Sequence, residues 1–176
     1  MLMIYLQTCM RTRFQRAENT DKFDWLEGYH SNIGEIMAEI TYSDALNHAL
    51  KEEMRRDEKV FLMGESIRGG IYGVTGGLSQ EFDERVIDTP LAENGFMGAA
   101  VGAAAVGMRP IVQSLASFAW VAMDQLVSQA AKMRFMFGGQ VNLPIVYRWG
   151  LLYGNNIAAH HADRPYPMFM NMPGLK

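Results

Sequence analysis

The chain has 176 residues, 49% of them hydrophobic and 20% charged: enough apolar side chain for one ordinary domain with a proper core, and too little charge for disorder. Its 16 Lys plus Arg against 19 Asp plus Glu leave a formal net charge of −3, without the basic surplus of a nucleic-acid binder. A single cysteine, Cys9, excludes an internal disulfide framework or a multi-cysteine metal site and makes a reducing compartment the expectation.

Before residue 40 the apolar residues keep no sustained period, and 1–39 reads as a divergent extension ahead of one domain over 40–176. Met1 to Ala17 carries Arg11, Arg13 and Arg16 and no acid, as a transit peptide would, but Glu18, Asp21 and Asp24 follow at once. The expected location is the cytoplasm, ahead of a mitochondrial matrix or plastid. No run approaches the roughly 18 apolar residues of a membrane helix, so no membrane partner is expected.

From Thr41 the elements follow in order. Thr41 and Asp44 form a helix start signal, and Tyr42, Leu46, Ala49, Leu50 and Met54 recur at helical spacing up to about Asp57. Val60 to Met63, closed by Gly64, is a wholly apolar run, as a strand buried on both faces would be. A glycine-rich loop, Gly69 to Gly77, leads to a short helix near Leu78 to Phe82 and a second strand, Arg85 to Asp88, ended by Thr89-Pro90. Glu93 to Met108 is a helix of Ala and Gly, tolerable only where another backbone approaches closely, and so expected to be buried. Arg109 to Gln113 is a third strand, Ser117 to Phe137 a long helix, and Leu143 to Tyr147 a fourth strand.

Helices alternating with short apolar strands imply an α/β fold: three layers, with a mostly parallel sheet covered by helices on both faces. Ligands of such sheets bind beyond the carboxyl ends of the strands, which singles out the loops after Met63, Asp88 and Gln113. Glu65 and Glu93 sit just past two of those ends. Glu93 also opens a helix, where an acid interacts favourably with the helix dipole. An acid before a tightly packed apolar helix would be partly desolvated, which raises its pKa and lets it exchange protons near neutrality. The phosphate-binding fingerprints G-x-x-x-x-G-K-[ST] and G-x-G-x-x-G are absent. His160, His161 and Asp163 have the types of metal ligands, but adjacent side chains diverge and no second cluster exists, so no metal site is expected. Phe118 and Trp120 read as core aromatics.

Four segments together carry a resemblance: RDEKVFLMGE (56–65), RVIDTPLAENGFMGAAVGAAAVGMRPIV (85–112), VAMDQLVSQAAKMRFMFGGQ (121–140) and the closing PGLK. Over roughly Glu39 to Lys176 the chain resembles the beta subunit of the thiamine-diphosphate-dependent 2-oxo acid dehydrogenases, the decarboxylating component of pyruvate, branched-chain and acetoin dehydrogenase complexes. The resemblance implies a transketolase-type pyrimidine-binding module, lacking the family's second, C-terminal domain. It implies that the glutamate of D-T-P-x-x-E, here Glu93, hydrogen-bonds the cofactor's pyrimidine nitrogen and promotes its activation for decarboxylation. By the same resemblance Phe118 stacks on the pyrimidine, Glu65 lies near that pocket, and His161 positions the acyl intermediate and its transfer to a lipoyl arm. The family's G-D-G motif for diphosphate and magnesium is missing here, so the resemblance implies an alpha chain that supplies it, in an assembly of two alpha and two beta chains serving a lipoyl-bearing acyltransferase. The substrate expected by default is pyruvate. An alternative is a truncated, non-catalytic paralogue that docks on an alpha chain. The loop Trp149-Gly150-Leu151-Leu152, which replaces a Gly-Pro-x-Gly, and the absent second domain motivate it; a further departure is His160-His161-Ala162 in place of the usual Gln-His-Ser.

Overall fold

The computed structural model describes residues 40–71, 73–151 and 157–176. The expected extension over 1–39, with Cys9, lies outside the described residues, as does Leu152 of the altered loop.

The first helix, α1 (Tyr42–Arg56), begins where the Thr41 hydroxyl accepts a hydrogen bond from the Asp44 N–H at 3.1 Å, a side-chain cap on an otherwise unpaired donor. It leads into β1 (Val60–Gly64), then the glycine-rich loop, α2 (Leu78–Phe82) and a 3₁₀ turn over Asp83–Arg85 that enters β2 (Val86–Asp88). The Gly/Ala helix is α3 (Glu93–Ala105), followed by β3 (Arg109–Leu115). After an irregular helical segment ending in α4 (Ala131–Met136) come β4 (Val146–Gly150), a 3₁₀ turn at Ala159–His161 and α5 (Tyr166–Met170). Among the described residues no helix is long and apolar enough to cross a membrane.

All four strands are parallel, in the order β2-β1-β3-β4, so β1 and β3 lie at the centre. Strand side chains alternate between faces, and the core divides accordingly. Val60, Leu62, Val86 and Ile111 pack with Leu50 and Met54 of α1 and Leu78 of α2. Phe61, Met63, Val112 and Tyr147 face the other way, toward Phe96, Met97 and Ala100 of α3 and toward Ala119, Ala122, Leu126 and Phe169. The expected three-layer α/β architecture is therefore present. The centre of the sheet is tight: a Cβ on Gly64 would lie 2.1 Å from the Gln113 carbonyl oxygen, closer than any side chain allows.

Three expectations change. Ser117 to Phe137 is not one α-helix but 3₁₀ turns over Ala116–Ala122, a π-helical stretch over Asp124–Ala130, and only then α4. Tertiary packing overrides the helical pattern here: Ala119, Ala122 and Leu126 seat in the α3 core cluster, and the Ala131 N–H reaches back five residues to the Leu126 carbonyl. Around Ala131 the chain is pressed by its own end, since a Cβ on Gly174 (φ +97°) would lie 1.8 Å from the Ala131 oxygen. The fourth strand begins at Val146, paired with Ile111, rather than at Leu143, because Pro144 has no N–H to give to a ladder. The third change concerns α3, which is buried along Phe96, Met97, Ala100, Val101 and Ala104, while Gly95, Ala99, Gly102 and Ala105 are exposed.

Candidate functional site at the carboxyl edge of the sheet

Parallel strands send their carboxyl ends to one edge, and the three loops singled out by sequence leave that edge together. Glu65 is the first residue after β1, Glu93 the first of α3 after β2, and Phe118 the third after β3. The loop after β2 is tied to the end of β1: the Thr89 N–H donates to the Gly64 carbonyl at 2.9 Å, and the Asp88 carboxylate accepts from the Arg68 N–H at 2.9 Å. A short span from Thr89 then delivers Glu93 beside Glu65.

Glu65 and Glu93 are both buried, 6% and 8% exposed, and no ion pair to a cation is formed by either among the described residues. Their carboxyls reach each other within hydrogen-bonding range. Burial first, then the neighbouring Glu93 charge and the hydrogen bond between the two groups, pushes the Glu65 pKa from 4.5 up to about 7. Two carboxylates so close cannot both ionise cheaply, so Glu65 holds its proton up to near neutrality. One oxygen of Glu65, Oε1, is buried with no hydrogen-bond partner in the protein, as is the Thr89 hydroxyl. Such groups cost about 1–3 kcal/mol each when left unpaired, and cluster where a ligand completes them. Glu93 lies in the first turn of α3, whose N-cap, Ala92, has no side chain to cap it; the dipole of that helix favours the negative charge.

Phe118 and His161 form a second pair. Their rings meet edge to face, 5.3 Å between centroids at 84°, with both residues half-buried. The ring nitrogen Nδ1 of His161 donates to the Ile157 carbonyl at 3.1 Å, because a carbonyl can only accept, and Nε2 takes no part in that bond. His160 packs on His161 at 4.0 Å. The four residues thus meet as two pairs, one of carboxyls and one of rings.

Trp120 is not a core aromatic: it is 40% exposed, and its indole N–H donates to the Asp163 carboxylate at 3.2 Å. Asp163 is thereby engaged by an indole, and among the described residues no group of three His, Cys, Asp or Glu is arranged to hold a metal ion. Sequence reasoning passed over two buried hydroxyls, those of Thr89 and Ser114, both without partners. Thr89 stands inside D-T-P-x-x-E, so its polar type in a buried motif was the available signal. Ser114, one residue from the end of β3, offered only its place beside the strand terminus.

The whole of this architecture falls within residues 38–176, which match the family model described as transketolase, pyrimidine binding domain. The chain is 48% identical over 142 residues to the pyruvate dehydrogenase E1 component subunit beta of Rickettsia bellii, covering 78% of this chain and 44% of that protein. It is 43% identical over 153 residues to the acetoin:2,6-dichlorophenolindophenol oxidoreductase subunit beta of Bacillus subtilis, covering 78% and 45%. The 2-oxoisovalerate dehydrogenase subunit beta of the same bacterium is 43% identical over 144 residues, covering 80% and 44%. The chain therefore spans somewhat under half the length of these relatives. Among solved structures, a split-gene transketolase described as an inactive beta4 tetramer superimposes with a TM-score of 0.60 at 21% identity, covering 77% of this chain and 42% of that one, a likeness of fold. With a carboxyl pair at the sheet edge, a parallel sheet of the expected topology and beta-subunit relatives at this level of identity, the chain belongs to the transketolase pyrimidine-binding domain family.

Proposed function

We propose that this chain is the pyrimidine-binding portion of a 2-oxo acid dehydrogenase beta-type subunit, acting on thiamine diphosphate with an alpha-type partner that holds the diphosphate and magnesium. One observation carries the proposal: Glu65 and Glu93 are buried together at the carboxyl edge, Glu65 is raised to about 7, and its Oε1 is left unpartnered. The pair fits an aminopyrimidine, which offers one ring nitrogen that accepts and one amino group that donates. Glu93 would hold the ring nitrogen and Glu65 the proton balance of Glu93, while Phe118 would supply a flat apolar wall. When bound, thiamine diphosphate supplies the electron sink that lets a 2-oxo acid lose carbon dioxide.

The chain's own contribution is proton placement. Glu65, raised to about 7, is about half protonated at neutral pH and stands beside Glu93, so it can give up or take back a proton as a ring nitrogen held by Glu93 takes a share of it. His161, whose Nε2 takes no part in the bond to Ile157, is placed to accept a hydrogen bond from an acyl-bearing group, and transfer to a lipoyl carrier would follow there. Pyruvate is the default substrate. Nothing in the fold or among the relatives favours a docking-only role over this one.

Titrating thiamine diphosphate with magnesium into the chain alone and into the chain with an alpha-type partner, then assaying 2-oxo acid decarboxylation, tests the reading. Saturable binding that requires the partner, followed by carbon dioxide release, is the expected result. Absence of cofactor binding in the assembled pair would overturn it.

A further inference from the structure

Asp163 has no part in the site as drawn so far, yet its two hydrogen bonds fall on either side of Phe118. Its backbone N–H donates to the Ser117 hydroxyl at 3.0 Å, and its carboxylate accepts from the Trp120 indole at 3.2 Å. Ser117 is 4% exposed and lies in the 3₁₀ turns between Ala116 and Ala119, which are also buried, so the turn bearing Phe118 is anchored in the core. The segment at Ala159–His161 is less buried, with Ala159 and His160 exposed and His161 half-buried, and its backbone hydrogen bonds are local: His161 N–H to the Ala158 carbonyl and Ala162 N–H to the Ala159 carbonyl. Asp163, two residues beyond His161, ties the less buried side of this arrangement to the buried one.

We propose that Asp163 is a positioning residue: it clips the segment carrying His161 onto the turn carrying Phe118 and so sets the imidazole at the edge of that ring. The proposal rests on the thiamine-dependent reading for its effect on turnover, but not for the clip. Two hydrogen bonds, one to a charged acceptor, suffice to choose among orientations of a short turn. Asp163 and Trp120 are exposed, so losing their bond should not unfold the core. Misplacing a group that orients a reacting fragment lowers turnover without weakening binding elsewhere.

The test uses the full chain. The ring resonances of His161, assigned with His161→Gln, are compared in the wild type, Asp163→Ala, Asp163→Asn and Trp120→Phe. Asp163→Ala and Trp120→Phe are expected to move them toward the values of a free histidine as the Phe118 ring current is lost, with the melting temperature unchanged. Asp163→Asn keeps an acceptor oxygen and should retain the wild-type shift. Unmoved His161 signals in Asp163→Ala overturn the clip. In the assembled complex with a lipoyl carrier, Asp163→Ala should then lower kcat about tenfold, leave KM and thiamine diphosphate affinity unchanged, and be rescued by Asp163→Asn. Full turnover in Asp163→Ala overturns the positioning role. An inactive wild-type complex would remove the functional reading, while the spectra would still decide the clip.

Discussion

Glu65 and Glu93 meet from the ends of two neighbouring parallel strands, both buried, with the Glu93 charge adding to burial in raising Glu65. Because the contact joins two like-charged groups, it opposes folding once both ionise. Glu65 is raised from 4.5 to about 7. Between those values the folded chain binds more protons than the unfolded one, so this group's contribution is complete below about 4.5 and lost as pH rises through about 7. Glu65→Gln removes that dependence. The variant is expected to melt higher than the wild type at pH 8, by a few degrees at about 2–4 °C per kcal/mol for a chain of this size, and no higher at pH 4.5. A parallel offset at both pH values in thermal denaturation would show that Glu65 is not the proton-binding group.

Gly64 and Gly102 predict opposite responses to the same methyl group. At Gly64 a Cβ would stand 2.1 Å from the Gln113 carbonyl oxygen, a backbone atom held by the β1–β3 ladder, so Gly64→Ala must force the two central strands apart. The expected cost is about 3 kcal/mol, at the upper end for overpacking, in urea denaturation, with Glu65 displaced along with the strand end. At Gly102, on the exposed face of α3, an added Cβ meets nothing within 4 Å among the described residues. There Gly102→Ala should stabilise the chain by about 0.5–1 kcal/mol through helix propensity alone.

The Gly64 half of this contrast is legible in the sequence, whereas the open surroundings of Gly102 run against the expected burial of its helix. The apolar run at Val60 to Gly64 announced a strand covered on both sides, and all five residues are buried. The spacing around Leu50 and Met54 announced the buried stripe of α1. What periodicity could not carry was winding: Ala119, Ala122 and Leu126 satisfy a helical template as well as the 3₁₀ and π turns they occupy, because all of these present small or apolar residues every three to five positions. The site divides in the same way. Glu93 stood out as an acid opening an apolar helix and Glu65 as an acid ending a buried strand, but their meeting depends on the Thr89 to Gly64 hydrogen bond, a contact between segments that no local pattern encodes. Asp163 and Trp120 are 43 positions apart in sequence, and their types alone suggested a metal ligand and a core ring.

Arg85 closes the α1 end of the sheet. Its Nη1 donates to the carbonyls of Met54 at 2.7 Å and of Asp57 and Val60 at 3.3 Å each, and its guanidinium lies 5.0 Å from the Phe82 ring centre. The carbonyls at the end of a helix have no intrahelical donors, so Arg85→Ala should cost about 1–3 kcal/mol in chemical denaturation. Lysine is a poor replacement, because a compact ammonium cannot both serve these carbonyls and stack on an aromatic face as a planar guanidinium does. Arg85→Lys recovering full stability would show that charge alone matters there.

Glu93→Gln separates the chemical from the structural use of the carboxyl pair. Glutamine fills nearly the same volume, remains polar at the start of α3, and still hydrogen-bonds Glu65, so the fold and assembly with an alpha-type partner should survive. It has no proton to exchange. Decarboxylation by the assembled complex should therefore fall by about 10²–10⁴, the range lost when a general acid–base group is removed, with thiamine diphosphate still bound. A second consequence follows from the same change: without the Glu93 charge, one of the causes raising Glu65 disappears, and its titration should move down from about 7 toward the ordinary carboxyl range. Carbon-detected NMR of the side-chain carboxyls reads this in the chain alone, independently of any partner. Retained turnover in Glu93→Gln would place the proton transfer on another residue, whereas lost turnover with an unmoved Glu65 would mean that the two carboxyls are not coupled.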